Sequence, residues 1–596
     1  FGGTNAHAVV GDPDPVAADA GNAGEDAPLV ISARSADALK ELAARYADLL
    51  DRTEDEAAGG VIASSVHSRD LLSERLVVLG KSRSENLASL RSFSTDEDQP
   101  ADVVSGSIIK SDAKVGFVFS GNGSQWAGMG QGAYQADAAF RAAFDKVDKI
   151  FMSLSGWSLV TTLFAEDLET DLERSEIAQP LLFAIQVGIV ESLRSRGINP
   201  AGTAGHSVGE VAAAWCAGAL DLEAAVRVIR ARSSEQEVVR DLGSMGALLL
   251  PADQAVAAIE ESGLPRLELA ADNSPRSVTI SGDSDSLDAF AKFARKKKWA
   301  MRRLNLAYPY HSALVDLIKE PLLAALDGLQ AHKPQLPFYS TVTPGDTEIS
   351  VSADYWWRNV RQPVKFAAAI ENMAADDFTV LVEIGPKPVL GTYVNDVLRA
   401  KGKNAQFLET LKEPSKKDKS PEANPLDRIA AAILANGGRT DLERYVGPKP
   451  SQLAPLPSYP WQNSDFRPEN SPERVDFMFG QTWPLLGYRL RQDAAEWFNH
   501  VDSGSLPFLQ DHKVEESIVF PAAGYIEMSL RAALRWSRGE QIELRDFDIV
   551  RPLVIEGDEV WETQVRISPD DRVIEVLSRP RLSDNDWSLN ARGSFL

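Results

Sequence analysis

One serine of the chain lies in a pattern that can make it a nucleophile. Residues 205–210 read GHSVGE, which fits Gly-x-Ser-x-Gly, and a helix-like run, 211–217, follows directly. This order predicts a strand-to-helix turn that exposes Ser207 at a helix N-terminus, where free amides and the helix dipole favour developing negative charge. The five residues are equally compatible with a glycine-bounded turn that carries an incidental serine.

A nucleophilic serine needs a general base, and histidine is the usual one. The chain has seven histidines, at positions 7, 67, 206, 311, 332, 500 and 512. Three lie outside the predicted catalytic domain, and two (67 and 332) lie in polar connecting segments and are interpreted as solvated. His206 adjoins Ser207 too closely to turn back onto it. His311, in the sequence YPYHS, remains as the predicted base, although a histidine beside two tyrosines is more often a packed residue.

Five separated motifs together resemble a known family. In order they are GNGSQ (121–125), QPLLF (179–183), the turn at Ser207, Arg232 and His311. Their types, order and spacing resemble the malonyl-CoA:acyl-carrier-protein transacylase family in its polyketide-synthase form. The resemblance covers about residues 113–410.

The resemblance implies a role for each matching residue. Ser207 would be the nucleophile and His311 its base, oriented by the main-chain carbonyl of Gln362, so that a dyad suffices without an acid. The main-chain amides of Asn122 and Val208 would form the oxyanion hole. Asn122 replaces the glutamine common in the family, which a main-chain donor tolerates.

Arg232 matches the family arginine that binds the malonyl carboxylate. It follows Ser207 by 25 residues on a predicted helix. A guanidinium fork pairs with a carboxylate through two hydrogen bonds, which suits that task. Without the resemblance, a surface arginine beside Arg227 and Arg230 is the simpler interpretation. The family pattern further places Gln125, Gln179, His206 and Asn273 at the acyl pocket.

The residues before the base bear on the choice of extender unit. Relatives with Tyr-Ala-Ser-His use methylmalonyl, and those with His-Ala-Phe-His use malonyl; this chain has neither, with Tyr308 and Tyr310 flanking Pro309. The ring of Tyr310 stands where the methylmalonyl type has a small serine and should crowd an α-methyl group. Val208 replaces a glutamine frequent in that type. We therefore expect malonyl, with methylmalonyl or another acyl unit as the alternative.

The implied reaction is a ping-pong transfer through an acyl-serine. Malonyl-CoA is the expected donor, the phosphopantetheine thiol of an acyl carrier protein is the acceptor, and no bound cofactor or metal is expected.

Two other interpretations of the function remain open. An α/β-hydrolase shares Gly-x-Ser-x-Gly but expects an acid between serine and histidine, and a structural segment with a dead site would need none of these residues. A dinucleotide site at 121–123 is set aside, because Trp126 stands at the third glycine position.

The flanking segments resemble other parts of a polyketide synthase. Residues 1–10 look like the tail of a ketosynthase, with His7 at one of its catalytic histidines. Residues 11–112 resemble the linker domain that follows that enzyme, and 413–465 resemble the segment after the acyltransferase. We expect the chain to be part of a longer protein, with the ketosynthase and the rest of the synthase as partners and a dimeric assembly.

Residues 480–596 resemble the first half of a dehydratase with a double hotdog fold. His512 and Pro521 match its His-x3-Gly-x4-Pro motif, but Glu516 occupies the glycine position. His512 would be the base that removes an α-proton, with its partner aspartate in a second hotdog. The departure at Glu516 leaves a vestigial His512 as the alternative.

Composition narrows the function classes. The net charge of −24 argues against a nucleic-acid or anionic-membrane partner, which would be repelled. The single cysteine, Cys216, excludes an internal disulfide and fits a cytoplasmic location. No apolar run approaches the roughly 18 residues that a membrane helix needs, and no signal peptide is evident.

The fold class expected is α/β, with an insertion. Val115–Ser120 predicts a buried strand before the glycine-rich loop, and helical periodicity follows to about 240. Residues 245–304 alternate as βαββαβ, the pattern of a ferredoxin-like subdomain, here placed at about 243–304 inside a larger hydrolase-like α/β domain spanning 113–412. A small α/β linker domain precedes it, and an α+β hotdog half-domain follows.

Overall fold

The computed structural model describes residues 27–95, 100–413, 424–463, 484–491, 493–537, 541–557 and 559–596. The chain forms two compact units, Phe1–Gln462 and Asn463–Leu596. The predicted ketosynthase tail, with His7, lies outside the described residues.

A small antiparallel sheet opens unit one. Strands β1 (Leu29–Ala33), β2 (Glu74–Val78) and β3 (Val103–Ser107) pair in the order β1-β2-β3. Helices α1 (Ala36–Asp51), α2 (Asp55–His67) and α3 (Arg83–Ser94) accompany it. Late residues of the unit return to it: the Tyr459 hydroxyl accepts a hydrogen bond from the Arg34 N–H (3.0 Å), and the Ser35 hydroxyl donates to Gln462 (2.6 Å).

A parallel five-stranded sheet forms the centre of unit one. Its strands are β4 (Val115–Phe119), β5 (Gly202–Gly205), β10 (Phe338–Tyr339), β12 (Val380–Ile384) and β13 (Gln406–Glu409). The order is β10-β5-β4-β12-β13, with every neighbouring pair parallel. Strands β4 and β12 are buried along their whole length, as expected for apolar strands that helices cover on both faces. The loops after β4 and β5 therefore leave the same edge of the sheet side by side.

A second sheet is inserted between β5 and β10. It contains β6 (Ser244–Leu248), β7 (Leu267–Ser274), β8 (Ser277–Gly282) and β9 (Met301–Arg303), with helices α11 (Ala252–Ser262) and α12 (Ser284–Lys296) between strands. The order β7-β8-β6-β9 is antiparallel throughout, and β11 (Val364–Lys365) adds to β7 in parallel. These elements follow the βαββαβ series predicted for 245–304, with β9 shorter than the predicted 300–304.

Further helices of unit one surround the parallel sheet. They are α4 (Gln131–Ala136), α5 (Ala138–Ser155), α6 (Leu159–Leu163), α7 (Leu168–Asp171), α8 (Ser175–Ser195), α9 (Gly209–Cys216), α10 (Leu222–Glu235), α13 (Lys319–Ala325), α14 (Ala353–Arg361), α15 (Phe366–Ala375), α16 (Gly391–Ala400), α17 (Pro425–Ala435) and α18 (Leu442–Tyr445).

Helix α8 corrects the estimate that no segment is apolar enough to span a membrane. By length and composition alone it passes that test, but 83% of its apolar window is buried inside the protein. A helix that is apolar on all sides is also what a core position requires. Such a helix is weak evidence for a membrane span.

Unit two combines two antiparallel sheets with one long helix. The larger sheet has the order β14-β19-β20-β21-β17 and the smaller one β15-β16-β18. The strands are β14 (Glu496–Val501), β15 (Lys513–Val514), β16 (Ser517–Val519), β17 (Leu544–Ile549), β18 (Val554–Ile555), β19 (Trp561–Ser568), β20 (Val573–Pro580) and β21 (Ser588–Phe595). The helix, α19 (Ala522–Ser537), buries Tyr525 and Met528 in the core of this unit.

Candidate active site

The Gly-x-Ser-x-Gly segment forms a sharp turn between β5 and α9. Ser207 has a left-handed backbone with φ of 53°, which is strained for a non-glycine residue. A Cβ on Gly205 would lie 2.4 Å from main-chain atoms of Glu210, and one on Gly209 would lie 2.5 Å from the Phe119 carbonyl oxygen. Both glycines are therefore required by close approach of the main chain, and the turn presents Ser207 above the sheet edge.

Ser207, which follows β5, is paired with His311, which follows the inserted sheet. The Ser207 Oγ lies 2.9 Å from His311 Nε2, and His311 Nδ1 lies 2.9 Å from the Gln362 carbonyl oxygen. Because a carbonyl only accepts, Nδ1 carries the hydrogen and Nε2 is left to accept the serine O–H. His311 also has a left-handed backbone, with φ of 59°. The predicted pairing and the predicted orienting carbonyl are both present in this geometry.

The environment keeps His311 neutral. Burial, and next the positive charge of Arg232, lower the pKa of His311 to about 3. The imidazole is only 2% exposed. At neutral pH it is therefore unprotonated and able to accept a proton.

Arg232 lies beside the serine and is buried, which rules out the surface interpretation. Its side chain is 1% exposed, and Nη2 donates to the Ser207 Oγ at 3.2 Å. Nη1 donates to the Gln179 amide oxygen (2.6 Å) and to that of Gln236 (3.3 Å). Burial lowers the pKa of Arg232 to about 10, so the group stays cationic at neutral pH. Within the described residues it has no carboxylate ion pair, and its Nε has no acceptor.

A buried cation without a counter-ion is costly, so this site is built to receive an anion. Gln179, which the family pattern places at the acyl pocket, accepts from the guanidinium, and its amide also donates to Gln236 (2.8 Å) and Ser175 (2.7 Å). Sequence reasoning missed Gln236. Its position one helical turn after Arg232 was the available signal.

The two tyrosines before the base form a buried stack. The rings of Tyr308 and Tyr310 lie 5.0 Å apart and nearly parallel, at 3°. The Tyr308 hydroxyl accepts from the Ser175 N–H (3.0 Å) and donates to Glu237 (2.8 Å). Burial raises the pKa of both tyrosines, and Tyr310 lies close enough to Arg232 for their charges to interact. Tyr310 is thus fixed beside the guanidinium, and Val208 is likewise buried.

The loop after β4 packs against the serine turn. A Cβ on Gly121 would lie 2.5 Å from the His206 carbonyl oxygen, and the His206 N–H donates to Phe119 (2.9 Å). In the described part of the chain, the main-chain N–H groups of Asn122 and Val208 donate to no protein acceptor. Two unused donors on adjoining loops are compatible with the predicted oxyanion hole.

Two predicted pocket residues act as braces. The Gln125 side chain accepts from the Gly123 N–H at 2.7 Å, so it supports its own loop, and none of its described hydrogen bonds reaches the Ser207–His311 pair. Asn273, on β7, lies 2.8 Å from His206 Nε2 and donates to Thr279 (2.9 Å). His206 therefore ties the inserted sheet to the serine turn.

Two other histidines with a predicted status, His67 and His512, each lie at hydrogen-bond distance from a main-chain carbonyl. His67 is partly buried, and its Nε2 lies 2.9 Å from the Gly447 carbonyl, which corrects its interpretation as a solvated residue. His512, in unit two, is exposed and its Nδ1 lies 2.7 Å from the Val519 carbonyl. Among the described residues no group of three or more His, Cys, Asp or Glu side chains could hold a metal ion.

Glu516, which stands where the dehydratase motif has a glycine, lies in a tight turn between β15 and β16. Val514 pairs with Ser517, which leaves Glu515 and Glu516 as a two-residue turn. The left-handed residue is Glu515, with φ of 59°, and not Glu516. The glycine-to-glutamate difference therefore places no left-handed strain at position 516 itself.

Two family models match the chain. The family model "Acyl transferase domain" matches residues 116–427, and the model "Polyketide synthase dehydratase domain" matches residues 483–579. The acyltransferase domain from module 8 of the salinomycin polyketide synthase aligns with a TM-score of 0.65 at 31% identity, over 70% of this chain and 97% of that domain.

Two longer relatives extend the similarity to nearly the whole chain. The spectinabilin polyketide synthase system protein NorA' of Streptomyces orinoci is 31% identical over 99% of this chain and 16% of its own length. Mycoketide-CoA synthase of Mycobacterium tuberculosis is 30% identical over 99% of this chain and 14% of its own length. The chain thus spans less than a fifth of either relative. With a family model that covers more than half of its residues, the chain belongs to the acyl transferase family, in the form found in polyketide synthases.

Proposed function

We propose that the chain transfers an extender unit, malonyl, from coenzyme A to an acyl carrier protein through an acyl-Ser207 intermediate. One observation carries the proposal. The Ser207 hydroxyl lies at hydrogen-bond distance from both a neutral, oriented imidazole and a buried guanidinium that lacks a carboxylate partner. A nucleophile beside a buried guanidinium suits an acyl group that carries its own carboxylate.

The reaction proceeds in two balanced halves. His311 Nε2 takes the proton of Ser207 as Oγ attacks the thioester carbonyl, and the N–H groups of Asn122 and Val208 stabilise the oxyanion. Collapse expels the thiolate of CoA, which receives the proton from His311. The carrier thiol then attacks acyl-Ser207, its proton passes to His311, and Ser207 recovers a proton as it leaves. Each oxyanion donor contributes on the order of 3–4 kcal/mol in such sites.

Substrate binding activates the base in this scheme. Burial is the main cause of the low pKa of His311, and the charge of Arg232 is the next. A malonyl carboxylate on Arg232 would neutralise that second cause and raise the basicity of His311. The enzyme would thus become a better catalyst only when a carboxylated acyl group is in place.

The preference for malonyl over methylmalonyl follows from the stack before the base. Tyr310 is 4% exposed, pressed against Tyr308 and adjacent to Arg232. An α-methyl group on the substrate would have to displace this ring or the buried Val208. One methyl group is worth about 1–3 kcal/mol of discrimination, so the preference is graded.

We also assign the surrounding segments by the same resemblance. The β6–β9 insertion would be a ferredoxin-like subdomain in a hydrolase-like large domain, and 480–596 the first hotdog of a dehydratase. The remainder of a dimeric, cytoplasmic synthase and its carrier protein would be the partners, with no cofactor held by this chain.

Intact-protein mass spectrometry tests the proposal. Wild-type chain incubated with malonyl-CoA should gain one malonyl mass, which Ser207→Ala should lose entirely. Ser529→Ala, at a buried serine of unit two, is the matched control and should load normally. Added holo carrier protein should then receive the malonyl group; release into water at the same rate without carrier would identify a hydrolase instead, and loading of Ser207→Ala would refute the nucleophile.

A further inference from the structure

Glu210 is a fully buried carboxylate three residues after the nucleophile, with no part in the chemistry above. Its Oε1 accepts from the Thr341 N–H (2.9 Å) and the Tyr355 hydroxyl (2.5 Å). Its Oε2 accepts from the Thr341 hydroxyl (2.5 Å) and the Asn359 amide (2.9 Å). Four donors on two oxygens fill the hydrogen-bonding capacity of an ionised carboxylate.

These hydrogen bonds connect the turn that carries Ser207 to the helix whose end orients His311. The Asn359 amide that binds Glu210 also donates to the main-chain oxygen of Ser207 at 3.2 Å. Tyr355 and Asn359 both lie on α14, and the residue that caps this helix is Gln362. The carbonyl of Gln362 is the group that orients His311. One carboxylate therefore connects the serine turn to the helix end that holds the base.

We propose that Glu210 is a positioning residue for acyl transfer, which clamps α14 to the serine turn and so keeps Ser207 Oγ and His311 Nε2 at reaction distance. The inference rests on the proposed nucleophile and base. Glu210, Tyr355 and Asn359 form the clamp, and none of their described hydrogen bonds reaches Ser207 Oγ or His311 Nε2.

The energetics favour a positional role over a stabilising one. Burial raises the pKa of Glu210, and its hydrogen bonds from Thr341 and Tyr355 oppose that rise. Buried charges are frequently replaceable by apolar packing without loss of stability. A fourfold-bonded carboxylate at this point instead fixes geometry, which matters here because Ser207 is held in a strained, left-handed conformation. The charge of Glu210 also raises the pKa of Arg232, although burial lowers that pKa by more.

The test compares Glu210→Gln with Glu383→Gln. Glu383 is the matched control, because it is also buried in unit one and accepts hydrogen bonds from the main chain at Val389 and Leu390 (2.8 and 3.1 Å) without contacting the clamp. Asn359→Ala is a second clamp variant in case Glu210→Gln folds poorly. Three quantities are measured: the single-turnover rate of acylation by malonyl-CoA, its half-saturating concentration, and labelling of Ser207 by a fluorophosphonate.

Both clamp variants should lose roughly tenfold to hundredfold in acylation rate, since displacement of a reacting group by about 1 Å has that effect. The half-saturating concentration should change less than about twofold, and fluorophosphonate labelling should slow in parallel. Glu383→Gln should retain both rates even where its melting temperature falls. Wild-type rates in the two folded clamp variants, or an equal loss in Glu383→Gln at matched melting temperature, would overturn the proposal. Fluorophosphonate labelling needs no malonyl group, so it reports on the clamp even if the natural acyl donor is a different one.

Discussion

His311 and His512 lie in different units and have related expected roles: His311 is the expected base for acyl transfer, and His512 the expected base for dehydration. Their surroundings differ. His311 is buried, its Nδ1 is bound to Gln362, and its Nε2 meets a serine hydroxyl. His512 is exposed, its Nδ1 is bound to the Val519 carbonyl, and within the described residues its Nε2 has no hydrogen-bond partner. Both rings are oriented by a carbonyl, but only one is paired with a reactive group. Orientation of a histidine is thus a weaker indication of a working site than the group that its second nitrogen faces.

Replacement of the buried base should have the largest effect. His311→Ala should lower the acylation rate by about 10²–10⁴-fold, the usual contribution of a positioned base. Because the pKa of His311 is lowered to about 3, the wild-type rate should be flat from about pH 5 to 8. Single-turnover acylation by malonyl-CoA measures both, with the exposed His332→Ala as control. A wild-type rate with its midpoint near pH 6.5, the ordinary pKa of histidine, would show that the His311 imidazole is solvated.

Removal of the guanidinium should change which acyl group is used. Arg232→Ala should weaken the transition state for malonyl transfer by about 2–5 kcal/mol, which is at least about thirtyfold in kcat/KM. The kcat/KM for acetyl-CoA, which lacks the carboxylate, should fall by less. Competition between the two donors, read as acyl mass on the protein, measures the ratio. Arg227→Ala is the control on the same helix, since its guanidinium binds the carbonyls of Ala325 and Asp327; an unchanged ratio in Arg232→Ala would remove the carboxylate receptor from the proposal.

The sequence predicted the parts of this site that short patterns encode. The order of elements in the insertion and the turn at Ser207 follow from periodicity and glycine spacing, and the structure has both. Strands β10 and β11 are two residues long, so their apolar pattern is too short to be recognised before their partners are known. Asn359 and the clamp at Glu210 were missed for a related reason: their role depends on contacts such as that between Glu210 and Asn359, 149 residues apart.

Enlarging the acyl pocket at Tyr310 should change the choice of acyl donor less than removing the Arg232 guanidinium does. Tyr310→Ser should shift the ratio of malonyl to methylmalonyl loading toward methylmalonyl by about 1–3 kcal/mol, which is at least about fivefold. The reason is space beside Arg232, so Tyr310→Phe, which keeps the ring, should retain the wild-type ratio. Mass spectrometry after incubation with an equimolar mixture reads the ratio directly. Equal shifts in both variants would assign the effect to the hydroxyl and not to bulk.

The smallest effect is expected at the exposed histidine. His512→Ala removes one side-chain hydrogen bond, to Val519, with a cost of about 0.5–1.5 kcal/mol confined to unit two. Malonyl loading on Ser207 should stay at the wild-type rate, because every group that contacts Ser207 or His311 in the described residues belongs to unit one. Acylation kinetics and thermal unfolding of the same sample separate the two readouts. A loading rate that fell in His512→Ala but not in His332→Ala would show that acylation of Ser207 depends on His512. The comparison between His311, which is paired with a serine, and the exposed His512 would then no longer hold.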